Sequence, residues 1–89
     1  MLRYHIAFYL PHAPGEMVVA EALDFPGAMS QGFDLHDARL MIASALEDLA
    51  QLCLEEGKPL PVPLEEVQSR DADLIELVAL SVHAGSIAR

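Results

Sequence analysis

Positive charge is what this chain has least of. Five lysines and arginines face 14 aspartates and glutamates in 89 residues, a formal net charge of −9. A field of that sign repels phosphate backbones, so direct binding of DNA or RNA by a monomer is disfavoured. It steers a basic protein partner toward the surface instead. Cys53 is the only cysteine, which rules out an internal disulfide and with it the stapled secreted mini-protein class. No apolar run approaches the roughly 20 residues of a membrane span. The start, Met1-Leu2-Arg3-Tyr4-His5, lacks the apolar core and small-residue cleavage site of a signal peptide, so the cytoplasm is the expected compartment.

Catalytic signatures are missing as well. His5, His12, His36 and His83 are scattered without ligand spacing, with His5 expected on a strand surface and His36 exposed in a first helical turn. No serine sits in an elbow motif, and no glycine-rich phosphate loop occurs. Cys53 falls inside an apolar helical run with no cationic neighbour to lower its pKa. No catalytic residue, metal site or cofactor is expected.

Apolar residues, by contrast, are abundant at 53%, above the usual share for a soluble domain. The length suits one domain over residues 1–89, and a chain this short buries only about 60–65% of its unfolded surface. Part of the apolar surface is therefore expected to be covered by another chain, with a homodimer or homotetramer the natural outcome.

From Arg3 to Leu10 the residues alternate, with Tyr4, Ile6, Phe8 and Leu10 on one face, the period of a half-buried strand. Pro11 to Gly15 breaks it, and Met17 to Leu23 reads as a second, antiparallel strand. Asp24-Phe25-Pro26-Gly27 is a turn, followed by a short strand over Ala28 to Gln31. Asp34 caps a helix, with Asp37 three residues on as an aspartate version of the capping box. Leu35, Ala38, Ile42, Ala45, Leu46, Leu49 and Leu52 form its apolar stripe, and Gly57 and Pro59 stop it near Glu56. Pro59, Pro61 and Pro63 make the next stretch extended and semi-rigid. Leu64 to Gln68 suits one short helical turn, Leu74 to Val82 a last strand, and residues 84–89 a frayed tail. The expected fold class is α+β, a small antiparallel-rich sheet with one long helix packed on one face in β-β-β-α-β order. The face away from the helix, with Ala7, Tyr9, Val18, Ala20 and Ala22 assigned to it, is the expected oligomer contact.

The ordered set from Val18 to Gly32 resembles the HicB family: a strand ending in an acidic residue, an apolar residue and Pro-Gly (Asp24, Phe25, Pro26, Gly27), then a short strand, Gly32, the cap Asp34 and the acidic-alanine pair Asp37-Ala38. The helix exit Glu55-Glu56-Gly57-Lys58-Pro59-Leu60-Pro61-Val62-Pro63 is similar to that family's acidic, glycine and spaced-proline exit. The resemblance covers about residues 4 to 63. It implies a partial ribonuclease-H-like fold without catalysis, acting as the antitoxin of a prokaryotic pair whose small basic toxin cleaves messenger RNA. Leu23 departs from the proline often found before the acidic residue. Many members carry a further DNA-binding segment, whereas here too few residues follow His83 for one, so direct operator binding is not expected.

A ribonuclease-H-like fold raises the question of nuclease chemistry, which uses two metal ions held by carboxylates, one on the first strand. Arg3 to Leu10 contains no acid. The helix contributes instead to binding. Residues 34–56 carry a net −5, from six acids and one arginine, and Glu47, Asp48, Glu55 and Glu56 are the expected contacts for a basic partner. The alternative is a free-standing oligomerising member of the family with no toxin.

Overall fold

The structure, a computed structural model, describes residues 2–81. Strands β1 (Arg3–Tyr9), β2 (Val18–Ala22) and β3 (Met29–Gly32) precede helix α1 (Leu35–Glu55), and β4 (Leu74–Ala79) follows it. The four strands form one antiparallel sheet in the order β3-β2-β1-β4. This is the α+β arrangement expected from the sequence. Val82 and the tail residues 84–89 lie outside the described residues.

Each element ends for a local reason. Between β2 and β3, the Ala28 N–H returns to the Phe25 carbonyl at 3.1 Å, with Pro26 and Gly27 at the two corners. Gly27 has φ +85°, the value a type II turn demands at that corner. At the start of α1, Asp34 accepts from the Asp37 N–H at 2.7 Å. The Asp37 carboxylate answers by accepting from the Phe33 N–H at 2.8 Å, one residue before the position a capping box normally serves. The helix closes with Lys58 N–H on the Cys53 carbonyl and Gly57 N–H on that of Leu54, the paired bonds of a Schellman motif.

The core lies between the sheet and α1. Tyr4, Ile6 and Phe8 of β1 meet Ala38, Ile42, Leu46 and Ala50 of the helix, all fully buried. Alanines at the contact let the helix come close. A Cβ on Gly32 would stand 2.3 Å from the Ala38 nitrogen, so any side chain there would push the helix off the sheet. Leu52, assigned to the apolar stripe from sequence, is exposed, and Cys53 packs on the core in its place. A 3.6-residue repeat carries the last turn of the stripe round by one position.

The helix packs on β3 and β2, and the segment after it covers what remains. Residues 58–73 form neither helix nor strand, with bends at 65, 70, 71 and 73, and the short turn of helix expected over Leu64–Gln68 does not form. Leu60 packs against the core, and the Tyr4 hydroxyl donates to the Pro61 carbonyl at 2.6 Å. Burial, followed by the nearby Asp24 charge, raises the Tyr4 pKa and so favours its protonated, donating form.

Candidate partner-binding surface

Of the motif residues Asp24, Pro26, Gly27, Gly32 and Asp34, the structure makes Asp24 the structural hub. It is the one buried charged residue among those described, at 6% exposure. Its Oδ1 accepts from the His5 backbone N–H at 2.8 Å, and its Oδ2 lies 2.8 Å from the His5 ring Nδ1. Oδ2 also accepts from the Leu64 N–H at 3.1 Å. One carboxylate thus joins β1, the β2–β3 turn and the proline strap. His5, expected as a plain strand-surface residue, is half-buried by this contact.

The other acids divide into two groups. Glu16 accepts from His12 and Ala13, Asp73 from Leu10, Glu21 from the Tyr9 hydroxyl, and Glu76 from Arg39. Glu56 pairs with Lys58 at 3.2 Å. Glu47, Asp48, Glu55, Glu65, Glu66 and Asp71 have no hydrogen bond or ion pair among the described residues. The four helix acids expected to meet a partner therefore do not form a single patch. Asp48 and Glu55 share one flank, the half-buried Glu47 lies on the other with Arg39, and Glu56 is at the C-cap beside its lysine.

The expected oligomer face needs correction. The pairing Ile6↔Ala22 and Phe8↔Ala20 places Val18, Ala20 and Ala22 on the helix side, buried in the core. Ala7 and Tyr9 do lie on the face away from the helix, paired there with Glu21 and Val19, but Ala7 is fully buried among its neighbours and offers no contact surface. β4 adds Ile75 and Leu77 to that face, the latter 57% exposed. Glu21 was the available signal, because the side carrying a charge in mid-strand is the wet one.

Sequence reasoning passed over the most exposed large apolar side chain among the described residues, Phe33, at 85%. A hydrophobic residue just before an N-cap normally packs on the fourth helical residue. Here that residue is Ala38, fully buried beneath the helix, which leaves Phe33 in solvent. Met29 and Met41 are exposed nearby in sequence. No group of three or more His, Cys, Asp or Glu among the described residues could hold a metal ion, and no helix there is long and apolar enough to cross a membrane.

A four-stranded antiparallel sheet whose long helix enters after the third strand, with an irregular return to the far edge, defines the class of fold. No family model and no curated protein matches the sequence. Solved structures do. The N-terminal domain of the Burkholderia pseudomallei antitoxin HicB superposes with a TM-score of 0.72 at 17% identity, over 90% of this chain and 99% of that one. The Burkholderia pseudomallei antitoxin HicB gives 0.71 at 19% identity, over 96% of this chain and 66% of that one. A chain of the HicA3 and HicB3 toxin–antitoxin complex gives 0.65 at 17% identity, over 92% and 99%. The chain therefore has the HicB antitoxin-domain fold.

Proposed function

We infer that this chain is a non-catalytic antitoxin that binds and neutralises a small basic, mRNA-cleaving toxin of the HicA type. The observation that carries the reading is the HicB-domain fold over at least 90% of the chain. A net charge of −9, with six acids uncommitted to the fold, supplies the attraction for a cationic toxin. The exposed Asp48 and Glu55 are the acids best placed to meet it, with the half-buried Glu47 on the other flank of the helix. The chain works by occlusion, without a metal or cofactor, in the cytoplasm. The test is co-expression with the small basic protein encoded by the adjacent gene. A stable complex and relief of growth arrest are expected; no complex and no relief would refute the reading.

Self-association is the second reading, as a homodimer or homotetramer with no toxin. The half-exposed Ile75 and exposed Leu77 beside Tyr9 on the sheet face away from the helix favour it. Light scattering at tens of micromolar should then give a multiple of 9.7 kDa, and Leu77→Asp should return it to the monomer.

A further inference from the structure

We propose that the outer edge of β3, ending in Phe33, is where an extended segment of the basic partner adds as a fifth strand. The inference rests on the antitoxin reading above and names the surface it uses.

Hydrogen-bonded and non-hydrogen-bonded pairs alternate along an antiparallel ladder. The Ala22 N–H donates to the Ala28 carbonyl at 2.9 Å. Counting on through the register, Glu21↔Met29 and Val19↔Gln31 are the pairs whose backbone groups turn away from each other. The N–H and C=O groups of Met29 and Gln31 therefore point out of the sheet edge. Both residues are exposed, and no described strand lies beyond them. Unpaired groups of this kind are a template for strand addition, in which the main chain gives affinity and flanking side chains give specificity.

Phe33 supplies the flanking side chain. Its backbone N–H is held by Asp37, and Gly32 before it is locked against Ala38. An aromatic ring in solvent on a fixed backbone is pre-organised to fill a pocket, the signature of a binding hot spot.

The helix indicates which partner fits. Arg39 reaches Glu76 on β4 at 2.6 Å, so its side of α1 faces the far edge of the sheet. At about 100° per residue, Met41, Asp48, Leu52 and Glu55 fall on the opposite flank, the side of the helix nearer the β3 edge, with Leu52 and Glu55 past the end of the strand. That flank alternates apolar and acidic side chains, and neither Asp48 nor Glu55 is neutralised within the described residues. A strand with basic residues fits this edge. The β4 edge is the poorer candidate, because the charges beside it, Arg39 and Glu76, cancel.

The experiment measures, by titration calorimetry, binding of the adjacent-gene basic protein to the wild-type chain and to three variants. Phe33→Ala should weaken binding at least about tenfold. Gln31→Pro should do the same, since the N–H it removes points outward and an edge strand tolerates proline there. Val62→Ala, equally exposed but on the strap, should bind within about twofold of wild type. A folded Gln31→Pro chain that binds like wild type overturns strand addition. Should that variant unfold, Phe33→Ala and Phe33→Asp decide, and wild-type affinity in both overturns the site. A wild-type chain that binds nothing overturns the antitoxin reading itself and this proposal with it.

Discussion

Removing the Asp24 carboxylate should cost this domain a large share of its stability. At about 0.05–0.15 kcal/mol per residue, 89 residues give a total of about 4–13 kcal/mol. In Asp24→Ala the His5 backbone N–H loses its acceptor at a partly buried position, which costs about 2–3 kcal/mol. The Leu64 N–H is nearer solvent, and its loss adds about 1 kcal/mol. The sum, about 3–4 kcal/mol, corresponds to a fall in Tm of at least about 12 °C for a domain of this size. Asp24→Asn keeps the Oδ1-type acceptor for His5 and should lose only about 1–2 kcal/mol. Thermal and urea unfolding followed by circular dichroism measure both, and hydrogen exchange at Leu64 reports release of the strap. The order wild type, Asn, Ala is the signature of a hydrogen-bond hub. An alanine variant less than about 1 kcal/mol below wild type would refute it.

Gly32→Ala should destabilise by about 2–3 kcal/mol in urea unfolding, because its methyl group collides with helix backbone and not with a side chain that can turn aside. The Arg39–Glu76 pair predicts a pH effect. The hydrogen bond from Arg39 holds the Glu76 carboxyl below its ordinary pKa. A folded-state pKa lower than the unfolded one stabilises above the ordinary carboxylate range and is lost as pH falls through the folded value. Glu76→Gln should therefore flatten part of the acid limb of a Tm-against-pH profile. Both side chains are partly exposed, so the effect should be small and should shrink further in 0.5–1 M salt. A variant whose acid limb matches wild type at low salt would contradict it.

Much of the fold was legible in the sequence because its signals are local. The alternation of Tyr4, Ile6 and Phe8, the Asp34 cap with Asp37, and the Gly57 stop each depend on neighbours within about four positions. The errors arose where distant residues decide. Leu64 to Gln68 has nothing against a helical turn in its own composition, but the Leu64 N–H is taken by Asp24, 40 positions away. Alanine marks neither side of β2, so its two faces are ambiguous in the sequence unless the mid-strand Glu21 sets the phase. The buried role of Asp24 was invisible, since it follows from His5 and Leu64 arriving together. Phe33 was readable. An apolar residue before an N-cap, with only alanine four helical positions on, has no staple to make.

The charge that the sequence displays is larger than the charge a partner meets. Among the described residues, eight of the 14 acids are engaged in caps, turns, tyrosine contacts or ion pairs, which leaves Glu47, Asp48, Glu55, Glu65, Glu66 and Asp71. All six act at long range on an approaching cation, but only Asp48 and Glu55 lie on the helix flank nearer the β3 edge. Charges at a distance set the rate of encounter, whereas groups in the contact set the rate of escape. Neutralising Glu65, Glu66 and Asp71 together should therefore slow association with the basic partner at low salt and leave dissociation unchanged. Phe33→Ala should do the reverse. Stopped-flow measurements at two ionic strengths separate the two rates, and strap variants that dissociate faster would put those acids inside the contact.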